Sequence, residues 1–256
     1  TRLGNLCNKH DILDPAQFAF LPEKSIHEPI NSIIQTLEAA RNNKKQNHKK
    51  KACYIIFHDI SKAYDNIRWS SIETALKNIN APHNLIEYVM NTLKGTKLNM
   101  KINVPGRVTP TVEMHKAIKQ GCPLAPLLFA IVMDELHKGH RSIEGAGYEL
   151  NTDKAGKSKT TIFSRGYCDD TAIVADNLAA LNLMNEWTHN FFKKHSLQIN
   201  KQKSVVTGFN EDGSDLTDTI IWPEPGPNLT TIPTNKPTRY LGIHICANLD
   251  WEPHTN

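Results

Sequence analysis

Apolar and polar positions along the chain alternate with two different periods. Ile30, Ile33, Ile34, Leu37 and Ala40 recur at helical spacing and predict an amphipathic helix over 26–42, with Pro29 in its first turn. The apolar run 52–60 predicts a buried strand, and 69–80 and 82–94 predict two helices, the second begun by Pro82. Segments 98–104 and 108–114 predict a hairpin across Pro105 and Gly106, and 125–138 predicts an apolar helix with Pro126 in its first turn. The stretch 139–158, rich in Gly and Lys, reads as loop. Two β-type segments, 160–164 and 171–175, flank Tyr167, Cys168, Asp169 and Asp170. In 178–195, Leu178, Leu181, Met184, Trp187 and Phe191 form one helical stripe, read as core packing. Segments 205–209 and 240–245 read as strands, and 210–237 between them, with its prolines and glycines around Trp222, as a long surface excursion. Residues 1–24 show no clear period, and no internal repeat is present. Short strands alternating with crossing helices predict an α/β layer, with helices on one face of a mainly antiparallel sheet.

The acids change this picture. Asp169 and Asp170 are adjacent at the tip of an apolar hairpin, where like charges repel and a shielded charge needs a partner or a metal. Asp59 closes the strand-like run 52–60. Three acids at strand ends point to a site for two divalent cations and to phosphoryl transfer. Successive side chains on a strand face opposite ways, so Asp59 and Asp169 are the expected bridging pair and Asp170 an accessory. Alone, the pair Asp169 and Asp170 fits a solvated turn better; Asp59 has a helix N-cap as its alternative, and Asp65 is read as an N-cap.

Composition narrows the setting. The chain has 256 residues, 39% of them hydrophobic, enough for one large domain or two small ones. Its net charge of +4 permits nucleic-acid binding. The lysine-rich run 44–51 reads first as a solvated linker, with a phosphate-contacting loop as the alternative. Five cysteines, an odd number without a C-x-x-C pair, argue against a disulfide framework and a structural zinc site. No run reaches the roughly 18 apolar residues that span a bilayer, and no signal peptide is evident. The expected setting is intracellular, in nucleus or cytoplasm. The chain opens on Thr1, as expected of a piece of a longer protein.

Five motifs then fall in a telling order. Phe57-His58-Asp59-Ile60-Ser61-Lys62-Ala63-Tyr64-Asp65 is followed by Gln120-Gly121-Cys122-Pro123-Leu124, then Tyr167-Cys168-Asp169-Asp170, then Leu197-Gln198-Ile199-Asn200-Lys201-Gln202-Lys203-Ser204, then Tyr240-Leu241-Gly242. Over 17–251 the series resembles the reverse transcriptase domain of LINE-like (non-LTR) retrotransposons. The resemblance implies an α+β fold, a polymerase palm-type antiparallel sheet backed by helices, with partial fingers and no complete thumb. It implies partial fingers in 1–51, a palm with inserted fingers elements in 52–209, and in 210–256 the excursion, a primer-grip strand and the start of a thumb. The basic finger motif that grips the triphosphate is expected before Thr1, and the thumb after Trp251.

By the same resemblance, Asp59, Asp169 and Asp170 are catalytic and hold two Mg²⁺ ions, with Mn²⁺ as a substitute. Lys203 protonates the departing pyrophosphate, with Lys201 a close rival. Tyr64 packs under the sugar and excludes a 2′-hydroxyl, although an ordinary core aromatic is a serious competitor and the family more often has Phe. Gln120 and Gly121 contact the incoming nucleotide and template, and Tyr240, Leu241 and Gly242 position the primer end. The implied partners are an RNA template, a DNA primer and dNTPs, with no membrane. Cys122 and Cys168 read as packing residues and His58 as a satisfied strand histidine. Leu21 and Glu23 depart from the family's Arg and Gly. Two other functions compete: a non-catalytic remnant that binds nucleic acid, and a two-metal nuclease, which gives no role to Tyr64 or Gln120.

Overall fold

The computed structural model describes residues 2–42, 51–95, 97–98, 112–113, 116–119, 121–151, 158–217, 220, 222–224 and 227–251. The first half runs α1 (Arg2–Lys9), α2 (His27–Asn42), β1 (Cys53–His58), β2 (Ile60–Ser61), α3 (Ala63–Asn66), α4 (Trp69–Asn78), α5 (His83–Lys94), β3 (Lys97–Leu98), β4 (Val112–Glu113) and α6 (Ala125–Ser142). The second half runs β5 (Tyr148–Asn151), β6 (Lys159–Ile162), β7 (Ser164–Tyr167), β8 (Asp170–Ala175), α7 (Leu178–His195), β9 (Gln198–Ile199), β10 (Val205–Phe209), β11 (Thr230–Thr231), β12 (Thr238–Tyr240) and β13 (Ile243–Ile245). Most of the hairpin expected over 98–114, the stretch 44–50 and Gln120 lie outside the described residues.

The main sheet has the order β11-β10-β1-β8-β7. Every pairing is antiparallel except β10 with β11. β1 is its centre, and all six of its residues are buried. Alternation sends them to opposite faces. Tyr54 and Ile56 join Leu128, Phe129, Leu181 and Met184 of α6 and α7 in one core. Cys53, Ile55 and Phe57 join Ile33 and Leu37 of α2, Tyr148 and Leu150 of β5, and Tyr240 in a second.

The sheet is therefore covered on both faces, where the sequence reading expected helices on one. The cause is β1 itself: with no polar face it must be shielded twice. Three further expectations change. The segment expected as loop carries the end of α6 and β5, whose Tyr148 and Leu150 are buried alternately. The strand expected over 240–245 is broken at Leu241 and Gly242, whose φ angles of 50° and 87° turn it into a hairpin. The excursion 210–237 lies against the body, burying Leu216, Ile220, Trp222, Leu229 and Ile232. Among the described residues, no helix is long and apolar enough to cross a membrane.

Candidate active site

Strand pairing alone brings the three acids to one edge. His58, the last residue of β1, pairs with Thr171 of β8, so Asp59 stands level with Asp170. β7 and β8 meet at Tyr167 and Asp170, which leaves Cys168 and Asp169 as a two-residue turn. Cys168 has a φ of 61°, a left-handed conformation that a side chain disfavours.

Asp59 is fixed through its backbone. Its N–H donates to Ser204 Oγ at 3.0 Å, and its carbonyl accepts the Asn200 N–H at 2.7 Å. The N–H groups of Lys203 and Ser204 donate back to the Asn200 carbonyl, closing a turn that carries an exposed Lys203 and a half-buried Lys201. The N-cap alternative for Asp59 fails, because the cap position of α3 is Lys62, with no side-chain cap bond. Asp65 is exposed in the first turn of that helix. His58 is buried edge-on to Phe192 and Trp222, and burial lowers its pKa to about 4 despite Asn185 beside it. It is a neutral core residue.

The acids sense one another. Although Asp170 is exposed as a residue, its carboxyl is pushed up to about 6. Desolvation is the main cause, Asp169 and Asp59 add to it, and Arg239 opposes it. Mutual repulsion of this kind is what a bound cation relieves. Among the described residues, no group of three or more His, Cys, Asp or Glu side chains is gathered as a ready metal centre. Mg²⁺ keeps several waters and needs only one or two carboxylates, so the donor set still suits it.

Tyr64 lies between this edge and α6. Its ring stacks on Phe129, centroids 5.2 Å apart, and its hydroxyl is 2.8 Å from Cys168 Sγ. Its carbonyl accepts the Ile118 N–H at 2.8 Å, which ties down the segment leading to Gly121. Gly121 itself is exposed with a φ of 85°. Burial pushes the Cys168 thiol up to about 12, so it is no nucleophile, in keeping with a packing role. Tyr240 is buried: its ring lies 4.9 Å from that of Phe57, and its hydroxyl donates to the Arg165 carbonyl at 3.2 Å. Of the three residues expected to position a primer, only Leu241 and Gly242 reach the surface.

The structure adds contacts that the sequence reading did not foresee. Arg141 Nε and Nη2 donate to Asp14 at 2.8 and 2.9 Å. Phe18 N–H donates to the Gly166 carbonyl at 3.0 Å, and Gly166 N–H to the Ala16 carbonyl at 2.8 Å. His137 Nδ1 is 2.8 Å from Ser164 Oγ, and its ring occupies the space that a Cβ on Gly166 would fill. These contacts stitch the N-terminal segment and α6 to the acidic hairpin. No local spacing rule links residues so far apart in the sequence, so no local signal announced them. One departure acquires a physical meaning: Glu23 has a φ of 63°, in the region where glycine is at ease.

A family model described as reverse transcriptase (RNA-dependent DNA polymerase) matches residues 2–245. The chain belongs to the reverse transcriptase family. The Pol polyprotein of the type-2 retrotransposable element R2DM of Drosophila melanogaster is 28% identical over 250 residues, 96% of this chain and 22% of its own length. An R2 Pol polyprotein of Popillia japonica is 28% identical over 176 residues, 69% of this chain and 23% of that protein. The chain thus spans less than a quarter of these curated relatives. Among solved structures, apo telomerase of Candida tropicalis truncated from its C-terminal domain aligns with a TM-score of 0.62 at 15% identity, over 97% of this chain and 43% of that one. A telomerase of Candida albicans in complex with a fragment of telomeric RNA aligns at 0.60 and 13%, over 97% of this chain and 37% of that one. At such identities the likeness is one of fold, a reverse transcriptase palm of the α+β class.

Proposed function

We propose that this reverse transcriptase domain extends a DNA primer with dNTPs on an RNA template, as part of an R2-like retrotransposon protein. One observation carries the reading: the register of β1 against β8 sets Asp59 beside the hairpin of Asp169 and Asp170. Asp59 and Asp169 would hold the divalent ions, with Asp170 as accessory. Two Mg²⁺ ions held there would supply activation of the primer 3′-hydroxyl and steadying of the triphosphate. Tyr64 lies under the sugar of the incoming nucleotide and disfavours a 2′-hydroxyl. Lys203 hands a proton to the departing pyrophosphate from the turn tied to Asp59. Gln120 and Gly121 face the nucleotide and template, and Leu241 and Gly242 the primer end, with Tyr240 anchoring their hairpin from the core.

The test uses the protein as encoded, with whatever sequence flanks these residues in its reading frame. With an RNA template, a DNA primer and Mg²⁺ or Mn²⁺, the wild type incorporates dNTPs. Asp59→Asn and Asp169→Asn each lose at least ~100-fold, the scale set by removing one preorganised electrostatic group. Equal incorporation by either variant overturns the assignment of that residue. Binding of primer–template without extension favours the non-catalytic reading, and shortening of a labelled substrate favours the nuclease.

A further inference from the structure

We infer that Cys168 is a positioning residue for Tyr64, and that the contact between them sets how strictly the site rejects a 2′-hydroxyl. The inference rests on the polymerase reading and deepens it. Three observations converge. The Tyr64 hydroxyl and the Cys168 thiol are 2.8 Å apart, and either can donate. The Tyr64 ring stacks on Phe129, centroids 5.2 Å apart. Cys168 holds a left-handed φ of 61° in the turn before Asp169, a conformation that persists where surrounding contacts enforce it.

The consequence is mechanical. Stacking fixes the plane of a ring and leaves it free to slide and pivot within that plane. The hydroxyl contact removes this freedom by tying the far end of the ring to the turn that carries Asp169. A phenylalanine has no such tie, and an alanine at position 168 has nothing to offer a tyrosine. The gate and the catalytic turn therefore move as one body, and the ring edge keeps a fixed height relative to the metal-binding carboxylate. Cys168 takes no chemical part, consistent with its burial at 5% exposure.

The test is a double-mutant cycle on discrimination, the ratio of kcat/KM for a dNTP to that for the matching rNTP, in the protein as encoded. Cys168→Ala and Tyr64→Phe each lower the ratio about two- to tenfold, the value of one hydrogen bond. The double variant is no worse than either single one. Cys168→Ser, which keeps a hydrogen-bonding group, restores the ratio to within about twofold of wild type. A merely structural role for Cys168 would depress incorporation of both nucleotides together and leave the ratio unmoved. Tyr64→Phe keeps the ring, so its single effect on the ratio, together with that of Cys168→Ser, still tests the contact even if the alanine variant folds poorly. Multiplying effects in the double variant, or an unchanged ratio in Cys168→Ala or in Tyr64→Phe, overturn the inference and leave the polymerase reading intact. Absence of any extension by the wild type overturns both.

Discussion

Lowering the pH from about 7.5 to about 5 should destabilise this domain through three interior histidines. His58, His137 and His140 are 3%, 1% and 0% exposed. Burial is the first cause in each, lowering His58 and His137 to about 4 and His140 well below its usual 6.5. At His137, Arg165 and Arg141 push the same way and Asp14 pushes back. Between 6.5 and about 4 the unfolded chain binds protons that the native state refuses, so stability falls as pH drops through that window. Near pH 5 the three histidines amount to almost three protons, roughly 4 kcal/mol per pH unit. Asp170 works in the opposite sense, because its carboxyl, raised to about 6, gains a proton in the native state first. His195, lowered by burial, and Asp134, raised by it, oppose one another. Because Asp170 is exposed, solvent screens its share, and the three histidines and Asp170 together leave between about two and three protons, or roughly 2–4 kcal/mol per pH unit. That is a large share of the roughly 5–15 kcal/mol that holds a typical domain together. Urea unfolding midpoints at constant m-value, measured across the window, read the slope directly. His137→Gln should reduce it by about one proton. A wild-type slope of less than about half a proton refutes the reasoning.

Two further substitutions test the packing around the site. Gly166→Ala drives a methyl into the His137 ring and should cost about 1–3 kcal/mol in urea unfolding, the usual penalty of overpacking; an unchanged midpoint would show that His137 yields freely. Glu23→Gly relieves a left-handed residue and should stabilise by up to ~1 kcal/mol in the same assay, a gain that fails to arrive if the side chain makes a compensating contact.

Much of the fold was legible because the apolar pattern was strong. The stripe Leu181, Met184 and Phe191 lies in the core as the helical spacing required. β1 was readable from its unbroken apolar run, but that run alone left open what covers each face, and α2 came to cover the second. β5 was missed because four residues give only two alternations, too few to outweigh nearby Gly and Lys. The apolar pattern ran straight through Leu241, although Gly242 beside it is a turn signal and the matching motif is a hairpin; the φ angles of both residues make the turn. At the site, the order of motifs located the acids, but no spacing could foretell the Tyr64–Cys168 contact or the Asp14–Arg141 pair, which join residues 104 and 127 positions apart.

Backbone strain accompanies the turns around the proposed site. Lys62, Cys168 and Leu241 all hold positive φ angles, of 47°, 61° and 50°, without being glycine. A residue so held costs on the order of 1–3 kcal/mol and persists only where its surroundings over-determine it. Other positive-φ residues, such as Asn80 and Ser196, lie at helix ends, where a left-handed residue is commonplace. Lys62 is the N-cap of α3, where a left-handed residue is unusual, and Cys168 and Leu241 lie in hairpin turns. Lys62 follows Asp59 by three residues, Cys168 precedes Asp169, and Leu241 shapes the hairpin whose Arg239 acts on Asp170. Each sits where a chain must bend sharply to present a neighbour to one edge of the sheet. A fold chosen for stability alone would place glycine at such bends. Phe20, Glu23, Ala117 and Leu249 also hold positive φ away from the acids, so strain alone does not mark the site; at Lys62, Cys168 and Leu241 the bends serve the geometry of the acids, with the cost met by the doubly covered sheet behind them.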